Sequence, residues 1–127
     1  LKENQAMYVD KNTLFSDQQS VSATATSDIV DLYPGYSGGD RPFILALASD
    51  FQGTGSVEIQ LESAADASFT SSRRVASFPV RASELAAGGE VLAISLPRNV
   101  ERYVRLKYVV RGTITSLKLS AMLALDI

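Results

Sequence analysis

Apolar and polar residues alternate along most of the chain with a period of two. In "SVEIQLES", Val57, Ile59 and Leu61 fall on one side and the polar residues fall on the other. The stretch "YVRLKYVV" alternates in the same way, with Arg105 and Lys107 on its polar side. This spacing is typical of β-strands that bury one face, since successive side chains of a strand point to opposite sides.

Further apolar runs are separated by turn-forming residues. "VLAISL" and "LKLSAMLALDI" also alternate, whereas "FILALAS" is continuous enough to predict a strand buried on both faces. Between the runs lie a Gly- and Pro-rich loop over residues 33–42 and the connection "DFQGTGS". Short strands at regular spacing, with one long crossover near the middle, predict an all-β jelly-roll sandwich of about eight antiparallel strands.

Two segments depart from the strand pattern. "ASELAAGG" predicts a single helical turn that begins at a Ser83 cap and ends at glycine. "SAADASFTSS" predicts a loop in which Asp66 accepts hydrogen bonds from nearby backbone amides.

Composition restricts the chemistry. The 127 residues suit one domain, which we assign to residues 7–127, with residues 1–6 as an upstream extension or a cloning remnant. Cysteine, histidine and tryptophan are absent, which excludes thiolate and imidazole chemistry and all metal sites built on them. We therefore expect no enzyme activity, no cofactor and no metal.

Charge and hydropathy restrict the partners. The net charge of −2 and the pI near 5.0 give no electrostatic footprint for nucleic acid. The longest apolar run, residues 43–48, is too short to span a bilayer. We therefore expect a soluble protein with neither a nucleic-acid nor a membrane partner.

The acidic residues give little support for hydrolysis. Glu58 and Glu62 share one strand face and lie roughly 13 Å apart by strand rise. Inverting glycosidases place their carboxylates about 6.5–9.5 Å apart, so a carboxylate-only glycoside hydrolase is the weakest of the hypotheses. A solvated sheet face explains these residues better.

Basic residues cluster around the turn at Pro97, and two interpretations stay open. As an interface, planar guanidinium groups would pair with a partner's carboxylates. As edge-strand charges, they would deter aggregation between sheets. The cluster comprises Arg98, Arg102, Arg105, Lys107 and Arg111.

Three segments read together carry a more specific signal. They are "MYVDKNTLFSDQQSVSATATSDIVDL", "VEIQLESAADASF" and "LPRNVERYVRLKYVV", followed by "TSLKLSAMLALDI". In this order they resemble the capsid cement, or decoration, proteins of short-tailed bacteriophages, a group typified by a Bordetella phage. The resemblance runs from Met7 over nearly the whole chain, and "LFSDQQ" and "LPRNVERYVRLKY" are its most particular parts. The loop "YPGYSGGDRPF" departs from the family pattern.

The resemblance implies a jelly roll without enzyme activity, made in the host bacterial cytoplasm and added to the exterior of the phage head. There it would cement neighbouring major capsid proteins against the pressure of packaged DNA. It also implies a homo-oligomer, with a dimer as the first expectation and a trimer as the alternative. Candidate contact residues are Tyr33, Tyr36, Arg41, Arg98, Arg102, Arg105 and Lys107.

A carbohydrate-binding jelly-roll module is the alternative from another class. Such modules present exposed aromatic rings to sugars, and tryptophan is absent here. The tyrosines that could serve are Tyr33, Tyr36 and Tyr103.

Overall fold

The computed structural model describes residues 13–32 and 42–124. They form nine strands and one short helix. The bounds are β1 Leu14–Ser20, β2 Ala25–Thr26, β3 Val30–Asp31, β4 Phe43–Gly53, β5 Ser56–Ala64, β6 Arg73–Val80, α1 Ala82–Ala87, β7 Gly89–Ser95, β8 Tyr103–Arg111 and β9 Ile114–Ala124.

The strands make two antiparallel sheets. The first has the order β1-β9-β4-β7, and the second has the order β2-β8-β5-β6, with β3 also paired to β8. Because β2 and β3 both pair with β8, they act as one interrupted strand, and the described residues then form eight strands. Their order is that of a double-sheet jelly roll, which confirms the predicted fold class.

The predicted alternation sets the inner faces. Ile59 pairs with Tyr108 and Leu61 with Leu106, and all four side chains are fully buried. Ile44 from the first sheet is equally buried. The space between the sheets is therefore the main core. Burying one such side chain stabilises the fold by about 1.5–3 kcal/mol.

A hydrogen bond joins the two sheets inside this core. The hydroxyl groups of Ser16 on β1 and Tyr108 on β8 lie 2.7 Å apart. Ser16 Oγ donates to Gln19 Oε1, also over 2.7 Å, so the Tyr108 hydroxyl is the donor to Ser16. The phenol is thus satisfied where water does not reach it.

The helix follows the prediction except at its cap. It begins after Arg81, whose backbone N–H donates to the Glu84 carboxylate over 2.8 Å. Ser83 lies inside the first turn, so the predicted Ser83 cap is wrong; Glu84 reaches back to the helix start instead. Gly88, with φ of 74°, ends the helix, and Leu85 anchors it in the core.

Two turns meet closely at one end of the sandwich. The N–H groups of Thr54 and Gly55 both donate to the Thr113 carbonyl, over 3.0 and 2.8 Å. A Cβ atom at Gly55 would lie 2.5 Å from the Arg111 carbonyl oxygen. Only glycine allows the β4–β5 turn to approach the β8–β9 turn this closely.

Candidate functional site

The outer face of the second sheet carries the predicted basic strand. In the register of β5 and β8, Glu62 faces Arg105 and Gln60 faces Lys107. Their side chains point away from the core because Leu61, Leu106 and the other residues between them point into it. We call this surface, centred on Glu58, Glu62, Arg105, Lys107 and Arg111, the charged face.

Arg105 is paired within the chain. Its Nε donates to Glu62 Oε1 over 2.8 Å, and the two side chains are only 25% and 14% exposed. Its guanidinium also lies over the Phe69 ring, 4.4 Å from the centroid. Phe69 reaches this position from a left-handed backbone conformation, with φ of 58°. Charge and packing together fix Arg105 against its own domain.

The loop that holds Phe69 is organised by Asp66, as the sequence predicts. Its carboxylate accepts hydrogen bonds from the hydroxyls of Ser68 and Thr70 and from the Thr70 backbone N–H. These bonds favour the charged form and lower the pKa of Asp66 below its ordinary value.

Glu58 collects three donors. Arg111 Nη2 lies 2.6 Å from its carboxylate, Gln60 Nε2 lies 3.3 Å away, and the Ser77 hydroxyl donates as well. The Arg111 hydrogen bond is the largest cause, followed by Ser77 and Gln60, and together they lower the pKa of Glu58 to about 2. Glu58 therefore forms an ion pair with Arg111, and Glu62 forms a separate one with Arg105.

Arg102 is paired at the margin of the same sheet. Its Nε and Nη2 donate to the two carboxylate oxygens of Asp31 over 2.9 and 3.0 Å, and its guanidinium lies 5.0 Å from the centroid of the Tyr103 ring. Tyr103 is half-buried. Asp31 lies on β3 directly opposite Tyr103, so the register of β3 and β8 brings the ion pair together.

The predicted contact residues thus divide into three groups. Arg102 and Arg105 have carboxylate partners in their own chain. Within residues 13–32 and 42–124, Arg98 and Lys107 form no ion pair, and Arg98 is exposed on its turn. Tyr33, Tyr36 and Arg41 lie outside the described residues. Contact of any of these residues with a partner stays a prediction.

The outer face of the first sheet is different in character. One row of side chains crosses all four strands: Leu14 faces Met122, Met122 faces Leu45, and Leu45 faces Ala93. Phe43 lies on the same side, two residues from Leu45 along β4. We call this surface, comprising Leu14, Phe43, Leu45, Leu47, Ala93 and Met122, the apolar face.

The apolar face corrects one expectation. "FILALAS" predicts burial on both sides of a strand, and the inward residues Ile44 and Ala46 are indeed fully buried. On the outward side, Phe43, Leu45 and Leu47 are only half-buried, because they lie on the outside of the sandwich. Clustered apolar side chains on an outer surface are typical of protein contacts. Composition alone does not reveal this surface. The unbroken apolar run "FILALAS" does indicate it, because it places apolar residues on both sides of β4.

In residues 13–32 and 42–124, no group of three or more histidine, cysteine, aspartate or glutamate side chains is placed to hold a metal ion. In the same residues, no helix has the length and hydropathy needed to cross a bilayer.

The strand order defines the class of the protein as a double-sheet jelly roll, and its two outer faces, one charged and one apolar, are its main surface features. Within that class, the chain belongs to the Bbp16 family, whose family model matches residues 15–123. The family name indicates a Bordetella phage protein, and this agrees with the resemblance of the sequence to phage proteins. Among curated proteins, none matches the chain.

Proposed function

We propose that the protein binds the outside of the phage head and cements neighbouring major capsid proteins, without catalysing a reaction. The observation that carries the proposal is the apolar face, formed on the outside of a jelly roll of a phage family. In this row Met122 is buried and its neighbours Leu14 and Leu45 are half-buried, so the two leucines would gain by being covered further in a contact.

The mechanical logic is that of many weak contacts. Packaged DNA pushes outward on the shell, and a small protein that spans two capsid subunits resists their separation. Each contact needs only modest affinity, because the second contact of a bound molecule forms at high effective concentration. A homo-oligomer, with a dimer ahead of a trimer, would multiply this effect.

The two outer faces have different roles in this proposal. The apolar face would lie against the capsid. On the charged face, Arg105 and Arg111 already have carboxylate partners, so docking there would have to replace existing ion pairs. Arg98 would contribute at the margin of the apolar-face contact, whereas Lys107 lies on the opposite outer face and would require a second contact there.

A pair of matched variants tests the proposal on purified heads that lack the protein. Leu45→Lys places a charge in the middle of the apolar face, whereas Val109→Lys places the same charge on the charged face opposite Glu58. We expect wild-type protein and Val109→Lys to co-sediment with heads and to raise the temperature at which heads release DNA. Leu45→Lys should bind at least about tenfold more weakly.

The controls are thermal melting and circular dichroism of both variants, which should show folded protein. Heads that release DNA at the same temperature with and without the wild-type protein would overturn the cement role. Equal binding by the two variants would overturn the assignment of the apolar face.

A further inference from the structure

The turn between β7 and β8 is held against the second sheet. Arg73 on β6 donates from Nη2 to the Asn99 carbonyl, and the Glu101 N–H donates to the Ser63 hydroxyl over 2.6 Å. Val100, between these two turn residues, packs against the hydrophobic core. Because three contacts hold the turn, its residues keep a defined position beside the start of β6.

This position brings together arginines from two separate parts of the chain. Arg73 and Arg74 begin β6, the last strand of the second sheet, and Arg98 lies in the turn that follows β7, the last strand of the first sheet. All three side chains are exposed, and within residues 13–32 and 42–124 none of them forms an ion pair. We call Arg73, Arg74 and Arg98 the basic corner.

The acidic residues of this end of the molecule leave the basic corner largely unneutralised. Glu62 faces Arg74 across the strands but is bound by Arg105. Asp66 accepts hydrogen bonds from its own loop. Glu101 is exposed and, among the described residues, forms no ion pair, so it is one carboxylate beside three guanidinium groups.

A shortage of acids does not explain these unpaired charges. The chain has 14 acidic and 12 basic residues, and Arg102, Arg105 and Arg111 each have a carboxylate partner. The basic corner differs from that arrangement, since like charges placed together repel one another unless an anion lies between them. An anionic partner would remove this repulsion.

We propose that the basic corner binds a carboxylate-rich segment of a second capsid subunit, while the apolar face lies on the first. This inference rests on the proposed function and names the second contact that cementing needs. The two contacts adjoin without overlapping, because β7 carries Ala93 of the apolar face and then leads into the turn with Arg98.

The chemistry of the corner favours a protein carboxylate. The planar guanidinium fork matches the two oxygens of a carboxylate, and all three residues of the corner are arginine rather than lysine. Proteins that bind DNA strongly neutralise about 6–10 phosphates. Three arginines in a chain of net charge −2 fall short of that number.

Charge reversal tests the contact on purified heads that lack the protein. The double variant Arg74→Glu/Arg98→Glu keeps Arg73, which holds the turn. We expect it to bind heads at least about tenfold more weakly at low salt and to lose most of the salt dependence that wild-type binding shows. It should keep the apolar contact and still fail to raise the temperature at which heads release DNA.

A matched pair of single variants separates the corner from net charge. Arg98→Glu and Lys107→Glu change the charge of the chain equally, and Lys107 lies on the charged face, where it forms no ion pair within the described residues. Arg98→Glu should weaken head binding, whereas Lys107→Glu should bind as the wild type does. Thermal melting should show that both variants are folded.

Cross-linking tests the partner directly. Arg98→Lys keeps the positive charge and supplies an amine that a carbodiimide joins to a carboxylate in contact with it. On heads, mass spectrometry should find position 98 linked to an aspartate or glutamate of the major capsid protein. Lys107 of the same chain is the internal control and should form no such link.

The outcomes separate this inference from the cement role. Equal head binding and an equal DNA-release temperature for the wild type and the double variant would overturn the inference alone. An equal loss in Lys107→Glu, or a cross-link from position 98 only within its own chain, would do the same. Binding to a DNA duplex that the double variant loses while it still stabilises heads would assign the corner to nucleic acid instead. Heads that do not bind the wild type would remove the cement role, and this inference with it.

Discussion

The two outer faces of the sandwich differ in how their side chains interact within the chain. On the charged face, Arg105 and Arg111 are held by Glu62 and Glu58 of the neighbouring strand. On the apolar face, Leu14, Leu45 and Leu47 are only partly covered, and the buried Met122 lies in register with Leu14 and Leu45. The arginines of the charged face are thus paired within the chain, whereas the half-buried leucines of the apolar face form the surface that we propose a partner covers.

The difference separates stability from binding. Losing a partner on the charged face leaves a poorly hydrated charge, so substitutions there should act on the free energy of unfolding. Truncating a side chain on the apolar face removes a surface that is already partly exposed to water. Substitutions there should therefore change binding to a partner more than the free energy of unfolding. Three measurements on the free protein would break or sharpen this contrast.

The largest effect on stability is expected from Arg105→Ala. It leaves the Glu62 carboxylate, which is 14% exposed, without its cation and uncovers the Phe69 ring. We expect the free energy of unfolding to fall by about 2 kcal/mol, measured by urea denaturation. Arg102→Ala is the control, because its pair with Asp31 is 47% and 44% exposed and should contribute less than about 1 kcal/mol. Similar losses in both variants would contradict the special position of Arg105.

A smaller effect on stability is expected from Leu45→Ser on the apolar face. Because Leu45 is half-buried, we expect a loss of about 1 kcal/mol, well below the cost of truncating a core leucine. Binding of a hydrophobic dye such as ANS to the folded protein should decrease. A loss as large as that of Arg105→Ala would mean that this surface belongs to the core rather than to a contact.

The smallest and most gradual effect is expected from acid. The pKa of Glu58 is about 2 in the folded chain and returns to its ordinary value near 4.5 on unfolding. The ionised carboxylate therefore stabilises the fold fully above pH 4.5, and this contribution is lost as the pH falls towards 2. Glu58→Gln should flatten the stability curve over this window, as measured by urea denaturation at each pH.

Asp66 acts in the same direction because its pKa is also lowered. Asp66→Asn is therefore a parallel control, and the two variants together should flatten the curve more than either alone. An unchanged acid slope in Glu58→Gln would show that the hydrogen bonds from Arg111 and Ser77 do not persist in solution.

The sequence predicted the fold where burial alone decides the structure. The alternation in β5 and β8 assigned Ile59, Leu61 and Leu106 to the core, and the structure confirms this assignment. The turn residues and the long crossover were enough to favour a jelly roll. Each of these signals is local, because a strand that buries one face must alternate wherever it lies.

The candidate site was less predictable, because it depends on register between distant strands. Arg105 and Glu62 are 43 positions apart, and only the pairing of β5 with β8 brings them together. The sequence shows the basic strand but not its acidic neighbour, so it does not reveal that Arg105 is paired with Glu62 of its own chain. The helix cap failed for a similar reason: Ser83 is a good cap by type, but Glu84 already binds the backbone N–H of Arg81.

The hydrogen bond between Ser16 and Tyr108 makes the stability of the sandwich sensitive to high pH. The same tyrosine allows that loss of stability to be followed by absorbance. Burial is the main cause that raises the pKa of Tyr108 to about 12, while its ordinary value is 10.0. The neutral phenol thus stabilises the fold fully below pH 10, and this contribution is lost as the pH rises towards 12. Phenolate absorbance should then show a late stage from Tyr108, together with the loss of β-structure. With no tryptophan in the chain, that late stage can be followed optically without labels, as a direct record of the two sheets coming apart.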